Sequence, residues 1–214
     1  MIKTFYFNDL RTCCYVLWDE TKECAIVDAG CLTESEKGRL VKFIDENGLK
    51  PVKLINTHGH FDHVMGMMFV MKQWGIPCYM NNKDLSQLSR SKSYGEYFGY
   101  DFEAPTQDCI DIEDGDEITF GSTVLKARHT PGHTQGCVIL YNEGEGYVIT
   151  GDTLFAQSIG RTDLPGGDYD QLFNSLFSKV LTLPEETVVY PGHGPSTDIA
   201  TEKNTNPFLD VPQP

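Results

Sequence analysis

The stretch THGHFDH, residues 57–63, places three histidines and an aspartate within seven positions. The whole chain of 214 residues has six histidines, so half of them lie here. The preceding run PVKLINT, residues 51–57, is short, apolar and predicted to be a strand, whereas VMGMMFVMKQWG, residues 64–75, is predicted to be a helix. The histidines therefore lie where a strand ends and a helix begins.

The spacing within this stretch divides the candidate ligands into two pairs. His58 and His60 are two residues apart, so their side chains share one face of an extended segment and both can reach one metal ion. Asp62 and His63 come where the chain turns into the helix, and they point elsewhere. The stretch therefore predicts ligands for two metals.

Three further candidates also follow predicted strands and have glycine neighbours. His133 comes after STVLKARH, Asp152 after GYVITG and His193 after TVVYPG. Loops at the end of a rigid sheet commonly carry functional side chains. We expect the first metal to be held by His58, His60 and His133, the second by Asp62, His63 and His193, and Asp152 to bridge them. Imidazole and carboxylate ligands without thiolate suit zinc, iron or manganese, and zinc is favoured.

The remaining histidine, His129, is expected to have a different role. It precedes Thr130 and Pro131 and still lies on the predicted strand. We therefore expect a packing residue or a residue behind the ligands.

Strand and helix signals alternate in two similar blocks of the chain. Each block is rich in strands and ends in a helix followed by a strand, and no linker or low-complexity stretch separates them. This order predicts an α/β fold of two packed sheets with helices outside, formed as one domain by residues 1–214.

Composition narrows the function classes. Lys and Arg total 17 against 31 Asp and Glu, a formal net charge of −14, which disfavours nucleic acid as a partner. No apolar run approaches a membrane span, and the N-terminus lacks signal-peptide features, so a cytoplasmic protein is expected. The seven cysteines include no CxxC pair, which predicts buried thiols rather than disulfides or a thiolate site.

Four motifs in order, THGHFDH, HTPGHT (129–134), TGDTLF (150–155) and PGHG (191–194), resemble those of the metallo-β-lactamase superfamily. The resemblance implies a four-layer αββα sandwich with metals at one edge, and it implies the same ligand roles. SIGRTDLPGGD (158–168) and EKNTNPF (202–208) are similar to segments of compact bacterial glyoxalase II proteins. Longer glyoxalase II proteins grip glutathione with a C-terminal helical domain, whereas 21 residues follow His193 here.

The resemblance also implies a reaction. We expect hydrolysis of a small acyl thioester by a hydroxide held between two metals, with Asp62 and Asp152 as the catalytic carboxylates because they hold those metals. Arg161 matches a basic position that contacts substrate, with Lys203 as a weaker candidate. A structural role for Arg161, bonded to loop carbonyls or to Asp163, is the alternative. The oligomeric state stays open.

Other functions of the same superfamily are also compatible with the sequence. A persulfide dioxygenase of the same superfamily would use one iron held by two histidines and a carboxylate, which His58, His133 and Asp152 can provide. The stretch GRTD is shared with that group, so the number of metals discriminates the two. An exported β-lactamase, a nuclease, a flavodiiron protein and an inactive metal-binding module are all less favoured.

Overall fold

Two six-stranded sheets form the centre of the protein, seen in a computed structural model that describes residues 1–209. The first sheet has the order β1-β2-β3-β4-β5-β6, with β1 Ile2–Phe7, β2 Thr12–Trp18, β3 Glu23–Val27, β4 Lys50–Ile55, β5 Cys78–Met80 and β6 Ile110–Asp111. The second has the order β14-β13-β10-β9-β8-β7, with β7 Glu117–Phe120, β8 Thr123–His129, β9 Val138–Asn142, β10 Tyr147–Gly151, β13 Val188–Pro191 and β14 Thr197–Asp198. A small hairpin pairs β11 Leu154–Phe155 with β12 Ser158–Ile159.

Helices connect the strands and cover the outer faces of both sheets. They are α1 Glu34–Glu46, α2 Phe61–Val64, α3 Met67–Trp74, α4 Leu85–Tyr97, α5 Tyr169–Ser175 and α6 Ile199–Thr205, with a 3₁₀ turn at Asn82–Asp84 and a π-helical turn at Leu176–Val180. No helix within residues 1–209 combines the length and the apolar character needed to cross a lipid bilayer.

Three apolar layers hold these elements together. On β2, Tyr15 and Leu17 point between the sheets, whereas Cys14 and Val16 point toward α1 and α3. Successive side chains of a strand point to opposite faces, so a strand that is apolar throughout is buried on both sides. The third layer packs α5 and α6 onto the outer face of the second sheet. The αββα sandwich predicted from the sequence is confirmed.

Strand directions bring the candidate residues to one edge. In the first sheet β3 and β4 are parallel, so both end at the same edge. In the second sheet β10 and β13 are parallel, and two antiparallel pairings turn β8 to the same direction as β10. Direct contacts join the two edges, since the Cys13 N–H donates to the Gly192 carbonyl over 2.7 Å and the Val138 N–H donates to the Thr57 carbonyl over 3.0 Å.

The structure also differs from the sequence-based expectation. The helix expected over residues 64–75 is interrupted, because α2 ends at Val64 and α3 begins at Met67. Gly66 lies against the first sheet, where a Cβ atom would come within 2.7 Å of the Ala29 carbonyl oxygen. All seven cysteines are free, and most are buried, as expected.

Candidate metal centre

Four loops deliver the candidate residues to the shared edge of the sheets. His58, His60, Asp62 and His63 follow β4; His133 follows β8, Asp152 follows β10 and His193 follows β13. The structure brings all seven residues together, and five of the six histidines of the chain lie here. Asp28, which directly follows β3, joins the same group.

The first set of donors, His58, His60 and His133, forms what we call the nitrogen cluster. Their donor atoms lie within 4.8 Å of one another, and all three residues are buried. The Nε2 atom of His58 is 3.1 Å from Nδ1 of His60. Three imidazoles therefore face one point.

The second set, Asp62, His63 and His193, forms the carboxylate cluster. Nε2 of His63 is 3.3 Å from Nε2 of His193 and 3.5 Å from Oδ2 of Asp62, and the His193 and Asp62 donors are 3.2 Å apart. Four ligands placed roughly 2.0–2.1 Å from a tetrahedral metal lie about 3.3–3.4 Å from one another. The distances between the donors therefore match the edges of such a tetrahedron.

Asp152 lies between the two clusters. Its Oδ2 atom is 3.4 Å from Nε2 of His133, and its Oδ1 atom is 3.4 Å from Nε2 of His63. The neighbouring Gly192 permits this position, because a Cβ atom there would come within 2.0 Å of the Asp152 Oδ1 atom. One carboxylate therefore reaches both donor sets.

The outward nitrogen of most of these histidines faces an acceptor, which assigns the tautomer. Nδ1 of His63 lies 3.0 Å from Asp28 Oδ2, Nδ1 of His133 lies 2.8 Å from the Arg161 carbonyl, and Nδ1 of His193 lies 3.1 Å from the Leu10 carbonyl. Each Nδ1 therefore carries the proton, and each Nε2 presents a lone pair to the centre. Histidines that bind metals characteristically donate their second N–H in this way.

Asp28 supports the centre from behind, a role that the sequence did not reveal. Its carboxylate accepts hydrogen bonds from the Thr57 N–H over 2.8 Å and from the Thr57 hydroxyl over 2.7 Å. The Thr57 oxygen in turn lies 3.0 Å from Nδ1 of His58. Asp28 therefore orients His63 directly and His58 through Thr57. Asp28 directly follows an apolar strand, as Asp152 does, and this position is the sequence feature that could have predicted its role.

The electrostatics of the two clusters differ. Burial, reinforced by the neighbouring histidines, lowers the pKa of His58 well below its ordinary value and that of His60 to about 3. In the carboxylate cluster burial acts in the same direction on His63, but the Asp62, Asp152 and Asp28 carboxylates outweigh it and raise the His63 pKa. Burial likewise opposes ionisation of Asp62, yet His63 and His193 lower its pKa to about 2.

The donors fit a pair of divalent cations. His60 Nε2, His133 Nε2 and Asp152 Oδ1 are buried without a hydrogen-bond partner in the described chain. Buried polar atoms are nearly always paired, so unpaired atoms on three residues of this group indicate a ligand. The donors are nitrogen and oxygen atoms only, which suits zinc, iron or manganese.

A cavity of about 620 Å³ opens above the two clusters. Arg161 lines it, and its Nε and Nη2 atoms each donate to Asp163 over 2.8 Å. Lys203 does not line it, because α6 lies on the outer face of the second sheet and the Lys203 Nζ atom is 3.8 Å from Glu185. The expectation of a Lys203 contact to substrate thus lacks support from the fold. His129 lies outside both clusters and contacts the Gln135 carbonyl through Nε2 over 2.8 Å.

Asp84 joins the loops that carry the nitrogen cluster. It accepts hydrogen bonds from the Gly59 N–H over 2.7 Å, the Thr134 hydroxyl over 2.7 Å and the Gly136 N–H over 2.6 Å. Burial raises the pKa of Asp84, although these three donors oppose the rise. The residue is buried and follows no motif, so nothing in the sequence pointed to it.

Two sheets between helices, with imidazole and carboxylate donors collected at one edge, define the class of αββα metallo-hydrolases. Residues 8–193 match the family described as the metallo-beta-lactamase superfamily. The chain belongs to this superfamily, as its motifs predicted.

Curated relatives share most of the chain. The "Probable metallo-hydrolase YqgX" of Bacillus subtilis is 38% identical over 189 residues, which cover 88% of each chain. The "Hydroxyacylglutathione hydrolase GloC" of Haemophilus influenzae is 34% identical over 199 residues, which cover 92% of each chain.

Solved structures agree with the fold. The BLEG-1 B3 metallo-beta-lactamase superposes with a TM-score of 0.89 at 35% identity, covering 99% of this chain and 100% of that one. TTHA1623 in a di-iron-bound form superposes with a TM-score of 0.87 at 34% identity, covering 97% and 100%. ETHE1 from Myxococcus xanthus superposes with a TM-score of 0.80 at 26% identity, covering 98% and 84%.

Proposed function

We propose that the protein is a binuclear metal-dependent hydrolase that cleaves small acyl thioesters, in the manner of glyoxalase II. The observation that carries this proposal is the shared carboxylate of Asp152, which lies 3.4 Å from a donor of each cluster beneath an open cavity. The similarity to the hydroxyacylglutathione hydrolase of Haemophilus influenzae supports the same reaction class.

Each ligand has a defined task. His58, His60 and His133 would hold the first cation, and Asp62, His63 and His193 would hold the second. The Asp152 carboxylate lies between the two sets of donors. Two divalent cations held there would supply the positive charge that lowers the pKa of a water molecule and stabilises a developing oxyanion. Zinc suits these donors, and iron is the alternative that the di-iron form of TTHA1623 favours.

The protonation of the site favours a thiolate as leaving group. Asp62 and Asp152 are the carboxyl groups that line the cavity in the described chain, and the histidines beside them lower the pKa of both, against the effect of burial. Neither carboxyl group therefore carries a proton to donate at neutral pH. A thiol has a pKa of about 8.5, so a thiolate departs with little proton donation, whereas an amine needs an acid.

Arg161 is the candidate for substrate contact, since it lines the cavity. Its carbonyl also accepts from Nδ1 of His133 over 2.8 Å, so the same residue orients a ligand. Arg161→Ala removes only the side chain and leaves that carbonyl in place.

The test combines metal content with turnover. The purified protein is analysed for metal and assayed with S-acetyl-N-acetylcysteamine and with a lactoylglutathione thioester, thiol release being recorded. We expect two metals per chain and hydrolysis that a chelator abolishes and added zinc restores. A single iron per chain, with oxygen consumption on glutathione persulfide, would instead establish the dioxygenase alternative, for which Asp152 lies 3.4 Å from His133 and 4.0 Å from His58.

A further inference from the structure

One side of the cavity is formed by four aromatic residues, which we call the aromatic wall: Phe61, Tyr94, Phe98 and Tyr100. The rings of Phe61 and Phe98 stack at 5.9 Å with an angle of 14°, and the Phe61 and Tyr100 rings lie 5.6 Å apart. Phe61 lies between His60 and Asp62 in the chain, so it links the wall to one residue of each cluster.

Part of the aromatic wall is accessible to a ligand. The Phe98 side chain is 56% exposed, and Tyr94 and Tyr100 are half-buried. Ligand cavities are typically lined by apolar and aromatic side chains with a few polar groups, and this wall has that composition.

Another side of the cavity is apolar as well. Leu10, Phe155, Ile159 and Leu164 line it. The Phe155 ring lies 6.3 Å from the His193 ring, so this side reaches the carboxylate cluster. Both sides of the space above the clusters therefore favour apolar groups.

Charge in the cavity leads to the same conclusion. Among the described residues that line it, Arg161 is the one lysine or arginine, and Asp163 binds it through two hydrogen bonds of 2.8 Å. The Asp163 carboxylate offsets the guanidinium charge. A substrate carrier with carboxylates, such as glutathione, thus meets no uncompensated side-chain cation away from the clusters.

We propose that the substrate is an uncharged thioester with an aromatic or branched alkyl acyl group that packs against the aromatic wall. This inference rests on the proposed hydrolase function and names its substrate class. Packing on Phe61 and Phe98 sets the preference for bulk, whereas the Arg161–Asp163 pair removes the preference for anions.

The first experiment compares matched substrates on the zinc-loaded protein. S-phenylacetyl-N-acetylcysteamine and S-acetyl-N-acetylcysteamine differ in the acyl group, and S-phenylacetyl-3-mercaptopropionate places a carboxylate on the carrier. We expect kcat/KM for the phenylacetyl thioester to exceed that for the acetyl thioester by roughly ten- to hundredfold, the range that apolar pockets achieve. We also expect no advantage for the carrier that bears a carboxylate.

Variants assign the effect to named residues. Phe98→Ala should lower the phenylacetyl-to-acetyl ratio of kcat/KM by about tenfold. Tyr169→Ala is the matched control, because Tyr169 is an exposed aromatic residue on α5 outside the cavity, and it should leave the ratio unchanged. Asp163→Asn frees Arg161 and should improve the substrate with the carboxylate about two- to fivefold relative to its neutral counterpart, since the pair is exposed.

The outcomes separate the two proposals. Equal rates on both acyl groups, a wild-type preference for the carboxylate carrier, or an unchanged ratio in Phe98→Ala overturns the substrate class and leaves the hydrolase function standing. Calorimetry with non-hydrolysable thioether analogues measures binding to the aromatic wall without turnover. The phenethyl analogue is compared with the ethyl analogue. Tighter binding of the phenethyl analogue without hydrolysis of any thioester overturns the hydrolase function and retains the apolar preference of the cavity.

Discussion

The nitrogen cluster and the carboxylate cluster share one loop, yet they differ in charge and exposure. The imidazole donors His58, His60 and His133 are buried beneath the cavity. The second cluster instead includes the carboxylate of Asp62 and the His193 side chain, which is 29% exposed. Burial, reinforced by the neighbouring histidines, lowers the pKa of His58 in the first cluster. In the second cluster the nearby carboxylates outweigh burial and raise the pKa of His63. The comparison indicates that residues a few positions apart can form cation sites of different character.

This difference concerns protons as well as metals. The raised pKa values of His63 and His193 mean that, without metal, these imidazoles hold protons at a higher pH than ordinary histidines. A cation entering the carboxylate cluster must displace those protons, whereas the lowered pKa values of His58 and His60 leave these two residues deprotonated. We expect the carboxylate cluster to be the weaker site in acid.

The largest expected effect follows from breaking the link between the clusters. Asp152→Asn keeps the shape of the side chain but removes the charge that faces both donor sets. We expect kcat/KM for S-acetyl-N-acetylcysteamine to fall by about three orders of magnitude or more, because the nucleophile and the oxyanion both depend on the cations. Metal analysis should show loss of at least one equivalent, with an unchanged circular dichroism spectrum. Full turnover with both metals present would refute a linking role for Asp152.

A matched pair of substitutions distinguishes the clusters from each other. His133→Ala removes a donor of the nitrogen cluster, and His193→Ala removes a donor of the carboxylate cluster. Each should lower kcat/KM by roughly two to three orders of magnitude and release about one metal per chain. Cobalt substitution should show different absorption spectra for the metal that remains, since the donors differ. Identical spectra, or loss of both metals in both variants, would mean that the clusters act as a single site.

Acid should empty the two clusters in order. The pKa values of His63 and His193 are raised, so their protons begin to compete with the cation already above the ordinary pKa of histidine, about 6.5, and compete more strongly as the pH falls further. His60, with a pKa of about 3, does not compete until lower pH. Dialysis at stepped pH should release one metal near pH 6, together with the activity, and the second only below about pH 5. Simultaneous release at one pH would contradict the contrast between the clusters.

A smaller effect is expected from the support behind the centre. Asp28→Asn replaces the acceptor of the His63 Nδ1 proton, and such changes typically cost about 10- to 100-fold in metal affinity. Thr57→Val is the matched control, because it removes the hydroxyl that joins Asp28 to His58 and leaves the contact between Asp28 and His63 in place. Competition with a metal indicator should show the larger loss of metal affinity in Asp28→Asn, and that loss should occur at the carboxylate cluster. If Thr57→Val costs more, orientation of His58 is the dominant role of Asp28.

Sequence reasoning succeeded where chemistry follows local spacing. The alternation of His58 and His60 and the strand ends before His133, Asp152 and His193 were sufficient to predict which residues meet. Strands two residues long, such as β6 and β14, leave too short a pattern to be predicted. Contacts between segments that are distant in the chain leave no local sequence pattern at all.

Asp84 and the aromatic wall show this limit. Asp84 lies 25 residues after Gly59 and 52 before Gly136, so no local pattern connects its carboxylate with their N–H groups. Phe98 reaches Phe61 only because α4 packs against α2 at the edge of the first sheet. Lys203 had a suitable charge, but the packing of α6 places it elsewhere.

The smallest expected effect tests whether Asp84 serves the nitrogen cluster alone. In Asp84→Asn the amide oxygen can still accept from one backbone N–H. The NH₂ group, however, faces the Gly59 N–H and the Thr134 hydroxyl, two donors that the carboxylate oxygen had accepted from. A buried donor without an acceptor costs about 1–3 kcal/mol, so the free energy of unfolding should fall by about that amount. Because Gly59 lies between His58 and His60, metal affinity at the nitrogen cluster should fall by up to about tenfold, while the carboxylate cluster keeps its affinity.

Asp19→Asn is the matched control for this variant. Asp19 is also buried and also accepts bonds from two loops, from the Thr21 N–H over 2.9 Å and the Ser122 N–H over 2.7 Å. It lies beyond β2 at the opposite edge of the sheets, because Trp18 pairs with Cys24 near the start of β3. The control should lose similar stability in urea unfolding with no change in metal affinity. A loss of affinity in both variants would show that general loosening of the fold, and not the hold of Asp84 on Gly59, sets the strength of the nitrogen cluster.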